Sequence, residues 1–143
     1  MPEIIIRQLE KKDAVEVALL IPLLTGNIVE PENLPKRIAG LVNPGNWQYF
    51  VVELCGKVIG FGGLAWYEIP SKGPIGWIEE FVVSKEWWGC KIGERLLDEL
   101  LKLAVEKSLQ QVKLTTGNNS AIHLYKKAGF TIKPEDLMIK KYY

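Results

Sequence analysis

The first third of the chain alternates between a strand-like run and helix-like spacing of its apolar residues. The run Ile4-Ile5-Ile6, followed by Arg7 and Leu9, predicts a short buried strand. Apolar residues then recur every three or four positions over residues 11–24, which predicts a helix. A proline flanked by acids at 30–32 is typical of a first helical turn, so a second helix is expected to about Leu41.

The rest of the chain is richer in strands. Apolar runs at 49–54 and 58–66 flank Cys55-Gly56-Lys57, which is typical of a hairpin turn. After a loop at 69–74, the pattern predicts a strand over 77–83 and a long amphipathic helix over 93–109. A strand over 111–116 and a short helix over 120–128 follow, the helix ending at Gly129. The tail after Pro134 is predicted to hold at least one more strand.

This order of elements is neither a strict alternation of strand and helix nor a series of hairpins, and it predicts a mixed sheet with helices on its faces, an α/β (α+β) fold. The 143 residues, 48% of them apolar and 24% charged, are typical of one globular domain covering 1–143.

Charge and cysteine content exclude several classes of function. The formal net charge is +1, so we expect neither nucleic acid nor an anionic membrane as a partner. One histidine and two cysteines without Cys-x-x-Cys spacing argue against a metal site and favour a reducing compartment. The longest apolar stretch contains Pro22 and is too short to span a bilayer, and the first residues do not resemble a signal peptide. We therefore expect a cytoplasmic protein.

The segment that joins strand 77–83 to helix 93–109 is the most informative. It reads Trp88-Gly89-Cys90-Lys91-Ile92-Gly93 and leads into a helix N-terminus, where unpaired N–H groups and the helix dipole favour anions. The segment lacks the Walker sequence and the dinucleotide-binding Gly-x-Gly-x-x-Gly pattern. Taken alone, it is equally compatible with glycines that only form a turn.

A second segment, residues 118–130, begins with Asn118, reaches Tyr125 seven residues later and ends in Gly129-Phe130. The two segments and the order of elements resemble the Gcn5-related N-acetyltransferase (GNAT) superfamily along essentially the whole chain. The run Glu79-Glu80-Phe81-x-Val83 resembles its small-amine (polyamine-type) members.

The resemblance implies an acyl-CoA N-acyltransferase fold, with a mixed, mostly antiparallel central sheet flanked by about four helices. It also implies acetyl-CoA as co-substrate and transfer of its acetyl group to a primary amine of a small molecule, a protein or a peptide. In the superfamily the loop opens with Gln or Arg and has a central glycine, whereas this chain has Trp88 and Lys91. An inactive acyl-CoA-binding or regulatory module of the same fold is the alternative, which a pyrophosphate loop blocked by Lys91 and Trp88 would indicate. If the central position has a positive φ, Lys91 is strained there.

The resemblance also implies which residues hold acetyl-CoA. Backbone N–H groups from Trp88 to Glu94 are expected to bind its pyrophosphate, and the strand edge at 81–83 to pair with its pantetheine arm. An N–H near Val82 is expected to polarise the thioester carbonyl. Asn118 either hydrogen-bonds the cofactor or only caps its helix. The expected cofactor-binding residues are Phe81, Val82, Val83, Trp88, Gly89, Cys90, Lys91, Ile92, Gly93, Glu94 and Asn118.

Three residues are candidates for catalysis. The phenol of Tyr125 has an ordinary pKa of about 10, so it is able to protonate a departing thiolate; alternatively, its ring only packs under the sheet. Glu79 and Glu80 are candidate bases, with the resemblance favouring Glu79; alternatively, both are solvent-facing charges. Adjacent strand residues point to opposite faces, so only one of them faces the cleft unless a bulge intervenes. The tail strand and exposed aromatics would also suit a homodimer.

Overall fold

One sheet with helices on both faces accounts for most of residues 3–143, which the computed structural model describes. The five strands within these residues are β1 (Ile4–Gln8), β2 (Trp47–Leu54), β3 (Lys57–Ile69), β4 (Gly73–Val83) and β5 (Gln111–Lys113). The four α-helices in the same range are α1 (Ala14–Leu20), α2 (Leu34–Gly40), α3 (Ile92–Glu106) and α4 (Asn119–Lys127). The strands lie in the order β1-β2-β3-β4-β5, and only β4 and β5 are parallel. This arrangement confirms the predicted fold class.

The helices are divided between the two faces of the sheet. Val17 of α1 and Ile38 of α2 pack against Phe61 and Val82 on one face. Leu100 of α3 and Tyr125 of α4 belong to the apolar cluster on the opposite face. Each face therefore has its own core, which accounts for the helical apolar spacing seen in the sequence. None of the helices within 3–143 combines the length and the apolar character needed to cross a bilayer.

An irregularity in β4 shapes the rest of the molecule. Gly63 of β3 pairs with Glu79, and Phe61 pairs with Val82, so Glu80 and Phe81 together lie opposite Gly62. Glu80 has a positive φ of 55°. It is therefore the extra residue of a β-bulge, which bends the strand.

The two parallel strands separate next to this bulge. Their pairing covers only three positions of β4, from Ile75 to Trp77. Beyond Trp77, β4 and the chain that follows β5 diverge, and the space between them is open. The bulge and the short parallel pairing thus create a cleft at one end of the sheet.

The strand predicted in the tail is not formed, and that prediction is wrong for the single chain. Residues 131–143 contain no strand, and all of them are exposed. A strand requires a neighbour for its backbone groups. The backbone hydrogen bond found within this segment is local, from the Glu135 N–H to the Lys133 carbonyl at 2.9 Å. The segment therefore has a strand-like sequence but no strand partner among residues 3–143.

Candidate functional site

The separation of β4 from β5 opens a cleft of about 1110 Å³. Its walls are the end of β4, the loop and first turn of α3, and the connection from β5 to α4. Every catalytic or cofactor-binding residue predicted from the sequence lines it, except Cys90. Cys90 is exposed outside the cleft, and its Sγ lies 4.0 Å from the carbonyl oxygen of Trp88.

The loop before α3 turns sharply so that the helix begins beside the cleft. Gly89 has a φ of 81° and Lys91, the residue before the first helical turn, a φ of 63°. The condition for strain at the central loop position, a positive φ, is therefore met, at a cost of roughly 1–2 kcal/mol for a lysine. The turn leaves the first N–H groups of α3, from Ile92 to Glu94, without helical partners.

Two of the predicted backbone donors are used by the loop itself. The Trp88 N–H donates to the Lys85 carbonyl at 3.2 Å, and the Cys90 N–H donates to the Trp87 carbonyl at 3.4 Å. Within residues 3–143, the N–H groups of Gly89 and Lys91 have no such acceptor. The backbone N–H groups that remain available to bind an anion are therefore those of Gly89 and residues 91–94.

The side chain of Trp88 occupies part of the β4 edge. Its indole Nε1 donates to the Val83 carbonyl oxygen at 2.7 Å. Backbone groups alternate in direction along a strand. Because the Ser84 N–H donates to Ile59 on β3, Val82 directs its backbone groups to β3, and Val83 directs its groups to the cleft. Trp88 is 57% exposed, so it has room to move away from Val83.

The bulge brings both acidic candidates to the same cleft. Burial raises the pKa of Glu79, and the neighbouring charge of Glu80 raises it further. Burial likewise raises the pKa of Glu80. From the sequence, both acids were expected to face the cleft only if a bulge intervened. β4 has this bulge, and both residues line the cleft.

A tyrosine that the sequence did not single out lies beside these acids. Tyr49 is aligned with Gly63 and Glu79 across three strands, and its ring lies over Gly63, where a Cβ would collide with it. Burial, together with the charges of Glu79 and Glu80, raises the pKa of Tyr49 to about 12. Tyr49 therefore stays protonated beside the two carboxylates.

Tyr125 combines a packed ring with an accessible hydroxyl. The ring is 9% exposed and makes edge-to-face contacts with Phe81 and Phe130 at centroid distances of 6.0 and 5.9 Å. No buried side-chain oxygen or nitrogen in residues 3–143 lacks a hydrogen-bond partner. The Tyr125 hydroxyl makes no hydrogen bond within this range, so it is not one of the fully buried atoms. It therefore keeps contact with solvent in the cleft. Burial raises the pKa of Tyr125, so the phenol keeps its proton.

Asn118 caps α4 and also lines the cleft. Its Oδ1 accepts hydrogen bonds from the Ser120 N–H at 3.0 Å and the Ser120 hydroxyl at 2.6 Å. The capping alternative is thus observed. The amide nitrogen of Asn118 has no hydrogen-bond acceptor within residues 3–143 and stays free to donate.

Sequence reasoning missed the side of the cleft that is formed by the chain after α1. Leu23, Leu24 and Thr25 follow α1 and line this side, and both leucines are 40% exposed. The pair of leucines just after Pro22 gave a weak signal, because a chain leaving a helix there does not bury both. The far wall consists of Leu114, Thr115, Thr116 and Gly117.

A family model described as "Acetyltransferase (GNAT) family" matches residues 20–130. No curated protein sequence matches the chain. Among solved structures, the chain is similar to glucosamine-6-phosphate N-acetyltransferase from Arabidopsis thaliana, with 23% identity, 99% of each chain covered and a TM-score of 0.79. It is also similar to a predicted acetyltransferase from Clostridium acetobutylicum with acetyl-CoA, with 19% identity, 96% of each chain covered and a TM-score of 0.80. An aminoglycoside N-acetyltransferase in complex with CoA has 15% identity and a TM-score of 0.83, with 100% of this chain and 97% of that chain covered.

Proposed function

Because the chain belongs to the acetyltransferase (GNAT) family, we propose that it transfers the acetyl group of acetyl-CoA to a primary amine by direct attack on the thioester. Acetyl-CoA is the co-substrate, and it supplies the activated acetyl carbon. The observation that carries the proposal is the cleft opened at the Glu80 bulge. This cleft brings a helix N-terminus, an open strand edge, a protonated phenol and two carboxylates together.

The loop and the first turn of α3 fit a diphosphate. Gly89 and residues 91–94 present N–H groups that have no acceptor within residues 3–143, and α3 adds the positive end of its dipole. The side chain of Lys91 supplies a cation at the same place, which offsets the cost of its left-handed backbone. Trp88 and Cys90 contribute the shape of the turn, because their own N–H groups are engaged within it.

The edge of β4 fits the pantetheine arm as an added strand. Val83 directs its backbone groups to the cleft, and alternation gives Phe81 the same direction. By the same alternation, Val82 directs its groups to β3. We therefore assign the N–H that polarises the thioester carbonyl to Phe81, in place of Val82. As the amine attacks, this donor stabilises the negative charge that develops on the carbonyl oxygen.

The two carboxylates suit a cationic acceptor of the small-amine type. A primary amine with a pKa of about 10 arrives protonated and is attracted by Glu79 and Glu80. Glu79, acting through water, removes a proton so that the nitrogen lone pair attacks the acetyl carbon. The C–N bond forms, the C–S bond breaks, and the hydroxyl of Tyr125 gives its proton to the leaving thiolate. The acetylated nitrogen then releases its extra proton, through water, to the Tyr125 phenolate, which restores the phenol.

The experiment that tests this function combines thiol release with calorimetric titration of acetyl-CoA. The acceptor panel contains a polyamine, an aminoglycoside, an amino sugar and a peptide with a free N-terminus. We expect acetyl-CoA to bind and a cationic primary amine to release CoA thiol. Binding without release for any acceptor indicates the inactive module of the same fold, and absence of binding contradicts both functions.

Replacing Glu80 with glutamine is expected to move the acidic limb of the kcat/KM profile to lower pH. The base is active when ionised, so the rate falls as the pH drops through its pKa. The charge of Glu80 raises the pKa of Glu79, and a neutral amide removes that contribution. The profile is measured with one amine throughout, so that the titration of the substrate is constant. Glu68→Gln, an exposed position of β3 outside the cleft, is the control. If the acidic limb of the kcat/KM profile does not move in Glu80→Gln, Glu79 is not the base.

Replacing Trp88 with phenylalanine is expected to tighten acetyl-CoA binding about 3- to 10-fold. The indole N–H holds the Val83 carbonyl that the pantetheine arm needs, and a typical hydrogen bond contributes ~0.5–1.5 kcal/mol. Phenylalanine keeps an aromatic ring but cannot donate this bond. Calorimetric titration measures the change.

Trp47→Phe is the matched control for this prediction. The Trp47 indole donates to the Leu41 carbonyl at 3.0 Å, a similar bond far from the cleft, so the affinity for acetyl-CoA is expected to stay at the wild-type value. Weaker binding by the Trp88 variant means that the indole holds the cofactor and does not compete with it.

A further inference from the structure

Trp77 and Glu79 lie on the face of the sheet that α1 and α2 cover only in part. Side chains alternate between the two faces along a strand, so residues 77 and 79 of β4 share a face. Tyr49 shows which face this is, because it is aligned with Glu79 and its ring stacks on Phe61 of the α1–α2 core at a centroid distance of 5.3 Å. Glu79 is exposed and Trp77 is half-buried, so this part of the face is open to solvent.

The acceptor approaches the thioester from this open face. Tyr125, which serves the leaving thiolate, belongs to the core on the opposite face of the sheet. Glu79, which deprotonates the amine, lies on the α1–α2 face, where the chain after α1 lines the adjoining side of the cleft. The amine and the thiol therefore lie on opposite sides of β4. Side chains next to Glu79 on its own face are thus placed to contact the acceptor.

Lys113 adds a positive charge to the same face. It is the β5 residue aligned with Trp77, and its Nζ lies 5.6 Å from the centre of the Trp77 ring, which is a cation–π contact. No carboxylate among residues 3–143 forms a salt bridge with Lys113. Lys113 does not line the cleft assigned to acetyl-CoA, so it is not placed to bind the diphosphate. It is therefore a half-buried cation without an anionic partner in the part of the chain that the structure describes.

The negative and the positive charge on this face are separated by one aromatic ring. Residues 77 and 79 are ~7 Å apart along β4, and neighbouring strands are ~5 Å apart. The backbones of Glu79 and Lys113 are thus about 8 Å apart, with Trp77 between them. The indole offers an apolar surface at this place. The face therefore matches a molecule with an amine at one end, an apolar body in the middle and an anion at the other end.

We propose, on the basis of the acetyl transfer proposed above, that the acceptor is a primary amine that also carries a carboxylate or a phosphate about 6–10 Å from its nitrogen. Glu79 attracts the ammonium end, Trp77 contacts the body of the acceptor, and Lys113 binds the anionic end. A hydrogen bond between an ammonium and an anion is about twice as strong as one between neutral groups. A second ammonium group at the far end of an acceptor meets Lys113 instead and is repelled.

A series of benzylamines that differ only opposite the aminomethyl group tests this proposal by thiol release. Benzylamine has no charge at that position, para-(aminomethyl)benzoate has a carboxylate, and para-(aminomethyl)phenylphosphonate has a phosphonate in place of a phosphate. The fourth member, para-xylylenediamine, has a second ammonium group. We expect kcat/KM for the better anionic probe to exceed that for benzylamine at least about tenfold, and the diamine to be the poorest acceptor. The better of the two anionic probes shows whether the natural group is a carboxylate or a phosphate.

Variants of Lys113 connect this preference to the proposed contact. Lys113→Gln is expected to lower kcat/KM for the anionic probes to the value for benzylamine, with benzylamine itself unaffected. Lys113→Arg keeps the positive charge and is expected to keep the preference. Lys107→Gln is the matched control, because Lys107 lies over the Trp66 ring at 5.1 Å, a similar contact on the α3 side of the sheet, away from Glu79. This control is expected to behave as the wild type with all four amines.

The broader acceptor panel separates failure of this inference from failure of the proposed function. If no amine in either set releases thiol, the acetyl transfer is wrong, and the inference falls with it. If the panel is acetylated but the anionic probes have no advantage over benzylamine, the acetyl transfer stands and the role of Lys113 is wrong. An advantage that persists in Lys113→Gln overturns that role as well.

Discussion

Replacing Tyr125 with phenylalanine is expected to lower kcat about 100- to 1000-fold, within the range for loss of a general acid. The ring contacts with Phe81 and Phe130 survive this change, so the fold and the walls of the cleft stay intact. The hydroxyl is the only group lost, and within residues 3–143 it makes no hydrogen bond that the fold needs. Burial keeps the phenol protonated, which is the state in which it serves a departing thiolate. Steady-state thiol release with a saturating acceptor measures the effect.

The affinity for acetyl-CoA separates catalysis from binding in this variant. Calorimetric titration is expected to give the wild-type value, because Tyr125 acts on the leaving sulfur and the diphosphate is held elsewhere. Tyr67→Phe is the control, since Tyr67 accepts a hydrogen bond from the Trp77 indole at 3.2 Å outside the cleft. If turnover by Tyr125→Phe equals that of Tyr67→Phe, Tyr125 has no part in proton transfer.

Deleting Glu80 is expected to lower turnover at least ~100-fold while leaving the protein folded. Glu80 is the extra residue opposite Gly62, so its removal lets β3 and β4 pair without interruption. The deletion also removes a left-handed residue that costs roughly 1–2 kcal/mol. Without the bulge, β4 no longer bends away from β5, and a displacement of about 1 Å in such a site costs ~100-fold in rate.

Glu80→Gly is the matched control for the deletion, because glycine keeps the left-handed bulge and removes only the side chain. Acetyl-CoA titration is expected to give wild-type affinity for Glu80→Gly and at least a tenfold loss for the deletion. Thermal denaturation checks that both variants are folded. A deletion variant that binds acetyl-CoA normally shows that the cleft does not depend on the bulge.

Much of the framework was predictable because its signals are local. The apolar stripe of α3 and the hairpin at Cys55-Gly56-Lys57 are properties of neighbouring residues. These features are set by short-range sterics and by periodicity, which the sequence displays directly.

The features that open the cleft were not predictable in the same way. A bulge at Glu80 depends on how β3 and β4 align, and a glutamate gives no sign of a left-handed backbone. The bond from the Trp88 indole to Val83 depends on the path of the loop in space. Both features are tertiary effects. The bulge in particular decides whether Glu79, Glu80 or both face the cleft.

The prediction for the tail failed for the opposite reason. Its local sequence strongly favours a strand, but the structure has no strand there. Leu137 and Ile139 belong to a run with high strand propensity, yet the segment forms no strand in one chain. Strand propensity measures how well a residue fits a sheet that already exists. The missing information was the location of that sheet.

The three-position pairing of β4 with β5 has a consequence for how new specificities arise in this molecule. A ladder this short makes the stretch from Leu114 to Asn118 one of the regions of lowest local stability, while the antiparallel strands form a rigid scaffold. Replacements in that stretch change the shape offered to a ligand and cost the scaffold little. Directed evolution toward new acceptors is therefore best aimed at residues 114–117, where variation is tolerated.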